Sequence, residues 1–491
     1  MGKYKYIVVL LLIVHLAILS LFVLMRLADA DEGFYMNAAR MVHQGMSVYT
    51  DIFYTQLPMM PTIFAPLADG GWSSFFTLRI MAALAGFLSA LLLSLIILKT
   101  TRDYKTTVIA LVFYVFSGMI IVWHTTFKPL PFCNLLSIGT FFFWLLYYEK
   151  RRLLYLFLTG LFLSALVNFR TVFIVLLPLY FISVIYLSKK DRVKNLSVFI
   201  ISLIPFALPT LMAIISSPEH FRAGNIFFQL NREVQHGLGA VLSNRLDTFV
   251  RLVVDPQISI IFVITIISLG ILFIHGRIKS IINLVDTPHG MALMNLLLIG
   301  GVYLLPHPMS RQYVNQYLAF AIILIAFNLK YILNGVERFM KPLTRKLLMY
   351  GLAAVYLLSL IPYTAIFIYG IRKDDRRYVI SEMKKISSQM LQQAGEDAVV
   401  LSEWPGYTFL TKQSPLRYTE IFGGEHKLPL THDEYMKYKI CDSTYLIKEV
   451  SNKTPDLVVT LYHPPVYYAS VLENNYDKTY NSDVVTIYKR K

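Results

Sequence analysis

Residues 78–98 read LRIMAALAGFLSALLLSLIIL, an apolar run whose one charged residue, Arg79, lies near its start. A helix of about 20 apolar residues crosses the hydrocarbon core of a bilayer, so this run predicts a membrane-spanning helix. Ten further apolar runs are predicted to do the same, at 6–25, 107–123, 133–148, 153–167, 172–187, 196–215, 259–274, 291–305, 312–329 and 347–371. The sequence therefore predicts an α-helical polytopic membrane protein with about eleven transmembrane helices.

The composition agrees with a membrane protein and excludes several other classes. Of the 491 residues, 56% are hydrophobic and 15% are charged, against roughly 45–50% and about 25% in soluble proteins. A soluble enzyme of this length needs a more strongly charged surface, and the aromatic content of 14% argues against disorder. The two cysteines, Cys133 and Cys441, are too few for a disulfide framework or a cysteine-rich metal site.

The formal net charge of +16 suggests at first a nucleic-acid partner. If the N-terminus with Lys3 and Lys5 is cytoplasmic, the predicted cytoplasmic segments hold 19 basic and 5 acidic residues. Basic residues concentrate in the cytoplasmic loops of membrane proteins. The predicted membrane topology therefore explains most of the net charge. We therefore expect a multi-pass protein of the cytoplasmic membrane, with membrane lipids and no nucleic acid as partners. The pattern carries no information on the oligomeric state.

This topology divides the chain into two domains. Residues 1–371 form a predicted transmembrane domain with a first outer loop at 26–77 and a second at 216–256. Residues 372–491 form a predicted extracytoplasmic domain, which begins with helical periodicity at 378–390. Three short β-rich runs follow, at 398–401, 457–461 and 484–488. This order of elements is typical of a small α/β domain.

The first outer loop carries two adjacent carboxylates, Asp31 and Glu32, directly before a segment of helical periodicity. Residues 33–44 predict an amphipathic helix that ends at Gly45 and lies at the membrane surface. One interpretation of the pair is structural, because carboxylates at a helix N-terminus cap it and stabilise its dipole. The other is catalytic, with a carboxylate acting as general base for an acceptor hydroxyl.

The stretch Asp31-Glu32-Gly-Phe-Tyr-Met-Asn-Ala-Ala-Arg40 through Gly45, with Tyr49-Thr-Asp51 and Leu57-Pro58, resembles the first outer loop of GT-C superfamily membrane glycosyltransferases. The likeness is greatest to the branch that holds protein O-mannosyltransferases and aminoarabinose transferases. It implies an inverting hexosyl- or pentosyltransferase that moves a sugar from a polyprenyl-phosphate-linked donor to an extracytoplasmic glycolipid, polysaccharide or protein. In such enzymes the first Asp of the pair, here Asp31, binds or deprotonates the acceptor. Asp31 and Glu32 are therefore the predicted catalytic residues.

The leaving group of this reaction is a lipid phosphate, so cations near the outer membrane surface are expected to bind it. Arg311 and Tyr313 resemble the basic residue and tyrosine that bind the donor phosphate in the family, and Lys128 and Arg40 are further candidates. For each cation the alternative is an interfacial or solvated charge. Four other residues are candidates to line the same cavity: His124, Arg170, Gln56 and His307.

Gln56 marks a departure from the family pattern. Aminoarabinose transferases have Lys-Pro-Pro where this chain has Gln56-Leu57-Pro58, so the lysine contact to the phosphate is missing. The turn at 124–129 also lacks the acidic residue that relatives often carry there. Because cationic side chains can stabilise a phosphate leaving group, no cofactor is required. A divalent metal, which some branches use, is not indicated.

The alternative class is a multi-span transporter or lipid flippase, which a count of spans alone does not separate from an enzyme. Coupled transport usually needs a carboxylate within the membrane, and the predicted spans have none in their apolar centres. We also find no internal repeat of the kind that builds many transporters. These features and the outer domain favour the glycosyltransferase interpretation.

Overall fold

The computed structural model describes residues 2–188, 190–234, 238–276, 278–304, 309–371, 373–425 and 428–491. Helices dominate the chain up to residue 371, and a small sheet is present in the remainder. The helices of the first part are α1 (Gly2–Met25), α2 (Ala30–His43), α3 (Met59–Phe64), α4 (Gly71–Thr101), α5 (Tyr104–Val115), α6 (Gly118–Trp123), α7 (Pro129–Lys150), α8 (Leu153–Phe169), α9 (Leu176–Leu187), α10 (Arg192–Ser216), α11 (Pro218–Arg222), α12 (Phe228–Val234), α13 (Leu238–Val254), α14 (Pro256–Ile274), α15 (Asn283–Asp286), α16 (Pro288–Leu304), α17 (Val314–Phe339), α18 (Pro342–Leu358) and α19 (Leu360–Tyr369).

Seven helical segments within the described ranges are long and apolar enough to cross a membrane. They are Gly2–Met25, Gly71–Thr101, Pro129–Lys150, Arg192–Ser216, Pro256–Ile274, Arg311–Phe339 and Pro342–Tyr369. Three shorter apolar helices, Tyr104–Val115, Leu153–Phe169 and Thr171–Leu187, coincide with further predicted spans. The structure thus confirms a helical protein with many candidate membrane spans, and the number eleven stays a prediction.

The two ends of α7 collect different sets of charged residues. At its C-terminal end, Glu149 pairs with Lys99 of α4, and Arg151 donates to the carbonyl of Leu187 at 3.0 Å. At its N-terminal end, Lys128 contacts the residues that precede and begin α2. A 22-residue helix is about 33 Å long, so these two groups lie at opposite ends of the bundle. This agrees with their predicted assignment to opposite sides of the membrane.

The tail forms an α/β unit that contains the three predicted strands. Its helices are α20 (Ile380–Ala394), α21 (Gly406–Thr411), α22 (His432–Lys437), α23 (Ser443–Ser451) and α24 (Val466–Asn475). Its strands are β1 (Val399–Ser402), β2 (Ser414–Pro415), β3 (Leu457–Leu461), β4 (Tyr476–Asn481) and β5 (Val485–Arg490). The strand order is β2-β1-β3-β5-β4, with β2, β1 and β3 parallel and β5 antiparallel to both β3 and β4.

The tail covers the polar face of α2, and the position of this helix at the membrane surface stays a prediction. Asn37 Nδ2 donates to the Pro405 carbonyl at 2.9 Å and to Thr408 Oγ1 at 3.0 Å. A side chain at Gly33 would lie 2.5 Å from the backbone nitrogen of Gly406, so only glycine allows this close approach. The polar face of α2, which suggested exposure to solvent, instead contacts the tail.

Candidate active site

The start of α2 is capped by Asp29 together with Glu32, so the structural interpretation of the carboxylate pair holds for Glu32 and not for Asp31. The Asp29 side chain accepts the backbone N–H of Asp31 at 3.0 Å, while Glu32 Oε2 accepts the backbone N–H of Asp29 at 2.8 Å. This reciprocal arrangement is a capping box. It leaves the Asp31 carboxylate out of the cap, with its side chain 57% exposed.

Lys128 brings Asp29 and Asp31 together from the turn before α7. Its Nζ atom donates to Asp31 Oδ2 at 2.7 Å, to Asp29 Oδ1 at 2.8 Å and to Gln312 Oε1 at 3.0 Å. These bonds use all three donors of the ammonium group, and the side chain is only 4% exposed. Burial opposes ionisation of Asp29, but the charges of Lys128 and Arg26 outweigh it and hold the pKa of Asp29 below its usual value. A buried cation thus bridges two carboxylates at the N-terminus of α2.

Glu32, the other predicted catalytic residue, is fully buried in an ion pair with Arg79. Its Oε1 atom accepts Arg79 Nε at 2.9 Å and the Phe127 backbone N–H at 2.8 Å. Its Oε2 atom accepts a second Arg79 nitrogen at 2.6 Å, in addition to the Asp29 backbone N–H. The Glu32 carboxylate thus accepts four hydrogen bonds, all of them from protein groups. This geometry joins α2, α4 and the Lys128 turn, and it gives Glu32 no access to a substrate.

A second cation, Arg170, lies beside two tyrosines at the end of α8. Its guanidinium carbon is 4.9 Å from the ring centre of Tyr313 and 5.3 Å from that of Tyr303. Within the described residues, this guanidinium has no carboxylate partner. Near it, Gln56 Nε2 donates to the Tyr35 hydroxyl oxygen at 2.6 Å, which leaves the hydroxyl proton of Tyr35 available to another acceptor.

Tyr35 connects this cluster with Asp31. Burial raises the pKa of Tyr35, the charge of Asp31 adds to that effect, and the charges of Arg170 and Lys128 oppose it. Positions four residues apart lie on one face of a helix, so Tyr35 follows Asp31 along the same side of α2. Gln56, Arg170 and Tyr313, predicted from separate parts of the sequence, therefore meet on the Asp31 side of the helix.

The 3₁₀ turn Arg311–Tyr313 carries three side chains, and each of them contacts a different partner. Arg311 donates to Asp255 Oδ2 at 3.1 Å and is 34% exposed. Asp255 also caps α14 and accepts the Tyr363 hydroxyl. The short turn therefore links Arg170, Lys128 and Asp255 through three consecutive side chains.

The other predicted site residues lie away from the Lys128 cluster or outside the described ranges. Arg40 is buried under the tail and donates to the Thr408 carbonyl at 2.8 Å. His124 is buried in the bundle, where its Nε2 atom lies 3.0 Å from Asn315 Oδ1. His307 falls outside the described residues. Among those residues, no group of three His, Cys, Asp or Glu side chains is arranged to hold a metal ion.

An open cavity of about 750 Å³ lies next to Asp29. It extends from Arg26, Asp29 and Gln312 to the apolar side chains of α6 and α19. Arg26 is fully buried there between the rings of Trp123 and Phe367, with two of its nitrogens unpaired. No prediction from the sequence included Arg26, Asp29 or Asp255. The available signal was a charged residue at the edge of an apolar run, which is costly unless it has a function or a partner.

Comparison with known proteins shows what the fold is similar to. No protein-family model and no curated protein sequence matches the chain. The structure of ArnT from Cupriavidus metallidurans bound to undecaprenyl phosphate is similar with a TM-score of 0.65 at 13% identity, over 99% of this chain and 98% of that one. Its apo state gives 0.64 at 12% identity, over 99% and 97% of the two chains.

A structure of the Archaeoglobus fulgidus oligosaccharyltransferase tethered to an acceptor peptide is also similar. Its TM-score is 0.51 at 11% identity, over 99% of this chain and 74% of that one. ArnT and this oligosaccharyltransferase are both GT-C glycosyltransferases. The fold of this chain is therefore similar to the fold of these two glycosyltransferases, as the resemblance of the first outer loop indicates.

Proposed function

We propose that this protein is an inverting glycosyltransferase that moves a sugar from a polyprenyl-phosphate-linked donor to an extracytoplasmic acceptor. The observation that carries the proposal is the Asp31 carboxylate, which is half exposed at the mouth of the helix bundle while buried Lys128 holds one of its oxygens. A carboxylate that is held in place and open to substrate is what a general base requires. The fold and the undecaprenyl phosphate bound to ArnT support the donor class.

The reaction follows from this geometry. Asp31 Oδ1, which accepts no hydrogen bond among the described residues, removes the proton of an acceptor hydroxyl. The acceptor oxygen forms a bond to the anomeric carbon as the bond from that carbon to the phosphate oxygen breaks. The electron pair leaves with the polyprenyl phosphate, and attack from the opposite face inverts the anomeric centre. Lys128 fixes the direction of the Asp31 carboxylate through its bond to Oδ2.

We assign the donor phosphate to Arg170, Tyr313 and Tyr35. Lys128 has no donor left for a ligand, and Arg311 is paired with Asp255. Arg170 has a planar guanidinium without a carboxylate partner in the described residues, beside a tyrosine of the predicted phosphate-binding element. A guanidinium suits a phosphate because it can donate two parallel hydrogen bonds. Arg170 would thus replace the loop lysine that this chain lacks at Gln56.

Arg170→Ala is expected to weaken binding of undecaprenyl phosphate about 10- to 100-fold, because a hydrogen bond to a charged group contributes about 1.5–3 kcal/mol. Binding can be measured by native mass spectrometry of the purified protein. Arg170→Lys should recover part of the affinity, and Arg151→Ala, at the other end of the bundle, should not change it. Unchanged binding by Arg170→Ala would move the phosphate site elsewhere.

The activity itself is tested by incubating the purified protein with a panel of radiolabelled polyprenyl-phosphate sugars and a bacterial membrane fraction. The membrane fraction supplies lipid, protein and polymer acceptors together. Transfer of label from at least one donor is expected. If no donor yields a labelled product, the enzyme proposal fails. No observation in the described residues favours a transporter or flippase over this proposal.

We also propose that α2 and the tail both face the outside of the cytoplasmic membrane. Because the tail contacts α2 directly, both lie on the same side of the membrane, and the chain between them must cross it an even number of times. The crossing by α1, which precedes α2, then makes the total number of spans odd. Alkaline phosphatase fused after Lys491 is therefore expected to be active, and a β-galactosidase fusion at the same place inactive. The reverse pattern would place the tail, and with it α2, in the cytoplasm and would contradict the orientation.

A further inference from the structure

We infer that His124 and Asn315 are positioning residues for the transfer reaction, and that their contact sets the distance between the proposed base and the proposed phosphate site. This inference rests on the proposed function and deepens it, because it assigns a role to two buried polar residues that the proposed reaction does not use. Both side chains lie inside the helix bundle, where a polar group is costly to keep without a purpose.

Two segments of the chain carry the two halves of the proposed site. Residues 124–130, the lysine segment, include Lys128, which holds the carboxylate of the proposed base. Residues 311–316, the tyrosine segment, include Tyr313, which lies against Arg170 of the proposed phosphate site. Attack requires the acceptor oxygen and the anomeric carbon to come within about 3–3.5 Å of each other. The relative position of the two segments therefore decides whether base and donor can act together.

Three side-chain contacts join the lysine segment to the tyrosine segment. On the tyrosine segment they use positions three and four residues apart, which lie on one face of a helix. The contacts are Lys128 Nζ with Gln312 Oε1, His124 Nε2 with Asn315 Oδ1, and the Leu130 carbonyl with Gln316 Nε2, each at 3.0 Å. The second of them is a contact between two side chains in the interior of the bundle.

The contact between His124 and Asn315 is fully buried and closely packed. Asn134 of α7 adds a third polar side chain, since its Nδ2 atom lies 3.0 Å from His124 Nε2 and donates to Asn315 Oδ1 at 3.2 Å. All three residues are 0% exposed. A side chain at Gly86 of α4 would lie 2.8 Å from His124 Nδ1, so the backbone of α4 packs directly against the imidazole. The ring has little room to move.

A buried polar contact fixes direction as well as distance. Apolar burial holds helices together without a preferred direction, whereas a hydrogen bond needs a particular arrangement of donor and acceptor. Without the contact between His124 and Asn315, the tyrosine segment can shift against the lysine segment. A displacement of about 1 Å can lower a reaction rate about 100-fold. The donor site keeps its own contacts, so the rate should fall more than the affinity for the lipid phosphate.

Asn315→Leu tests the inference, because it replaces the amide with a branched apolar side chain of similar shape. We expect kcat to fall about 10- to 100-fold, while undecaprenyl phosphate binding changes less than about twofold. Retained binding also shows that the variant is folded. The matched control is Asn328→Leu, about 20 Å further along α17. Asn328 is buried too and donates to Ser268 Oγ of α14 at 2.9 Å, so this variant loses an interhelical bond of the same kind and should keep its kcat.

Two variants of His124 separate the hydrogen bond from the packing. In His124→Gln the terminal amide can bond to Asn315 in place of Nε2, so most of the activity should return. In His124→Leu the space is filled without such a bond, and kcat should fall as far as in Asn315→Leu. Combining the two leucine substitutions should lower kcat no further than either one alone, because both residues act through one contact.

Wild-type kcat in Asn315→Leu, or an equal loss in Asn328→Leu, would overturn this inference while leaving the transferase proposal intact. A loss of undecaprenyl phosphate binding as large as the loss of kcat would also overturn it, because the contact would then support the phosphate site itself. If Asn315→Leu does not fold, the comparison of His124→Leu with His124→Gln decides. If the wild-type protein transfers no sugar, the proposed function fails, and this inference fails with it.

Discussion

Asp31→Asn should lower the rate of sugar transfer about 10²- to 10⁴-fold, the usual contribution of a general base. The amide keeps the shape of the side chain and can still accept a hydrogen bond from Lys128, but it cannot take a proton from the acceptor hydroxyl. The loss should therefore appear in kcat, with little change in undecaprenyl phosphate binding. Steady-state transfer assays and the binding measurement described for Arg170 together separate the two quantities.

A matched control for Asp31→Asn is Asp69→Asn, which removes the same charge at an exposed position. Asp69 pairs with Lys412 on the surface, and such pairs contribute at most about 1 kcal/mol. This variant should keep wild-type activity. If Asp31→Asn transfers sugar as fast as the wild type, Asp31 is not the base, even if the protein is a glycosyltransferase.

Glu32→Gln should lower the free energy of unfolding by about 3–5 kcal/mol, the usual cost of removing one partner of a buried ion pair. The change leaves the Arg79 charge buried without its counter-ion. It also weakens the hydrogen bonds to the backbone N–H groups of Asp29 and Phe127, which fix the start of α2 and the Lys128 turn. A lower midpoint of thermal unfolding, measured on the purified protein, checks this expectation.

The double variant Glu32→Gln with Arg79→Gln distinguishes a structural from a catalytic role of Glu32. Because it removes both charges, it should be more stable than Glu32→Gln alone, as expected for coupled groups. A catalytic Glu32 would instead give a Glu32→Gln variant of wild-type stability that has lost its activity. That result would restore the role that the sequence resemblance suggested.

The fold was predictable to the extent that it depends on local patterns. Apolar runs long enough to cross a bilayer predict helices wherever they occur, and the three β-rich runs of the tail correspond to β1, β3 and β5. The break between α5 and α6 was not predicted from the single run 107–123. Ser117 caps the second helix there with its side chain, and a serine between apolar residues gives little warning of such a break.

The candidate site was predictable in its residue types but not in its contacts. Asp31 and Lys128 were both named from the sequence, yet the bond between them joins positions 97 residues apart. The same is true of Glu32, whose partner Arg79 lies on α4. A carboxylate looks the same in sequence whether an arginine from another helix neutralises it or solvent surrounds it. Only the tertiary contact that brings Arg79 to Glu32 decides between these roles.

The prediction for Arg40 was limited in the same way, because the sequence does not show what covers a helix face. The spacing of Arg40 from Asn37 indicates a polar helix face, and the periodicity is correct. What covers that face depends on residues 404–420, which are more than 360 positions away in the chain. Helical periodicity therefore identifies a polar stripe but cannot tell a solvated stripe from one that binds another part of the protein.

The contact between α2 and the tail also has a consequence for biosynthesis. Residues 404–420 leave the ribosome only after all the predicted spans, and in the proposed topology they then cross the membrane to reach Asn37 and Arg40. Until then the buried polar groups of α2 lack the partners that the folded tail supplies. Insertion of the helices and maturation of the site are thus separate events. A chain stopped before the tail would be a membrane-inserted precursor without the support of its base.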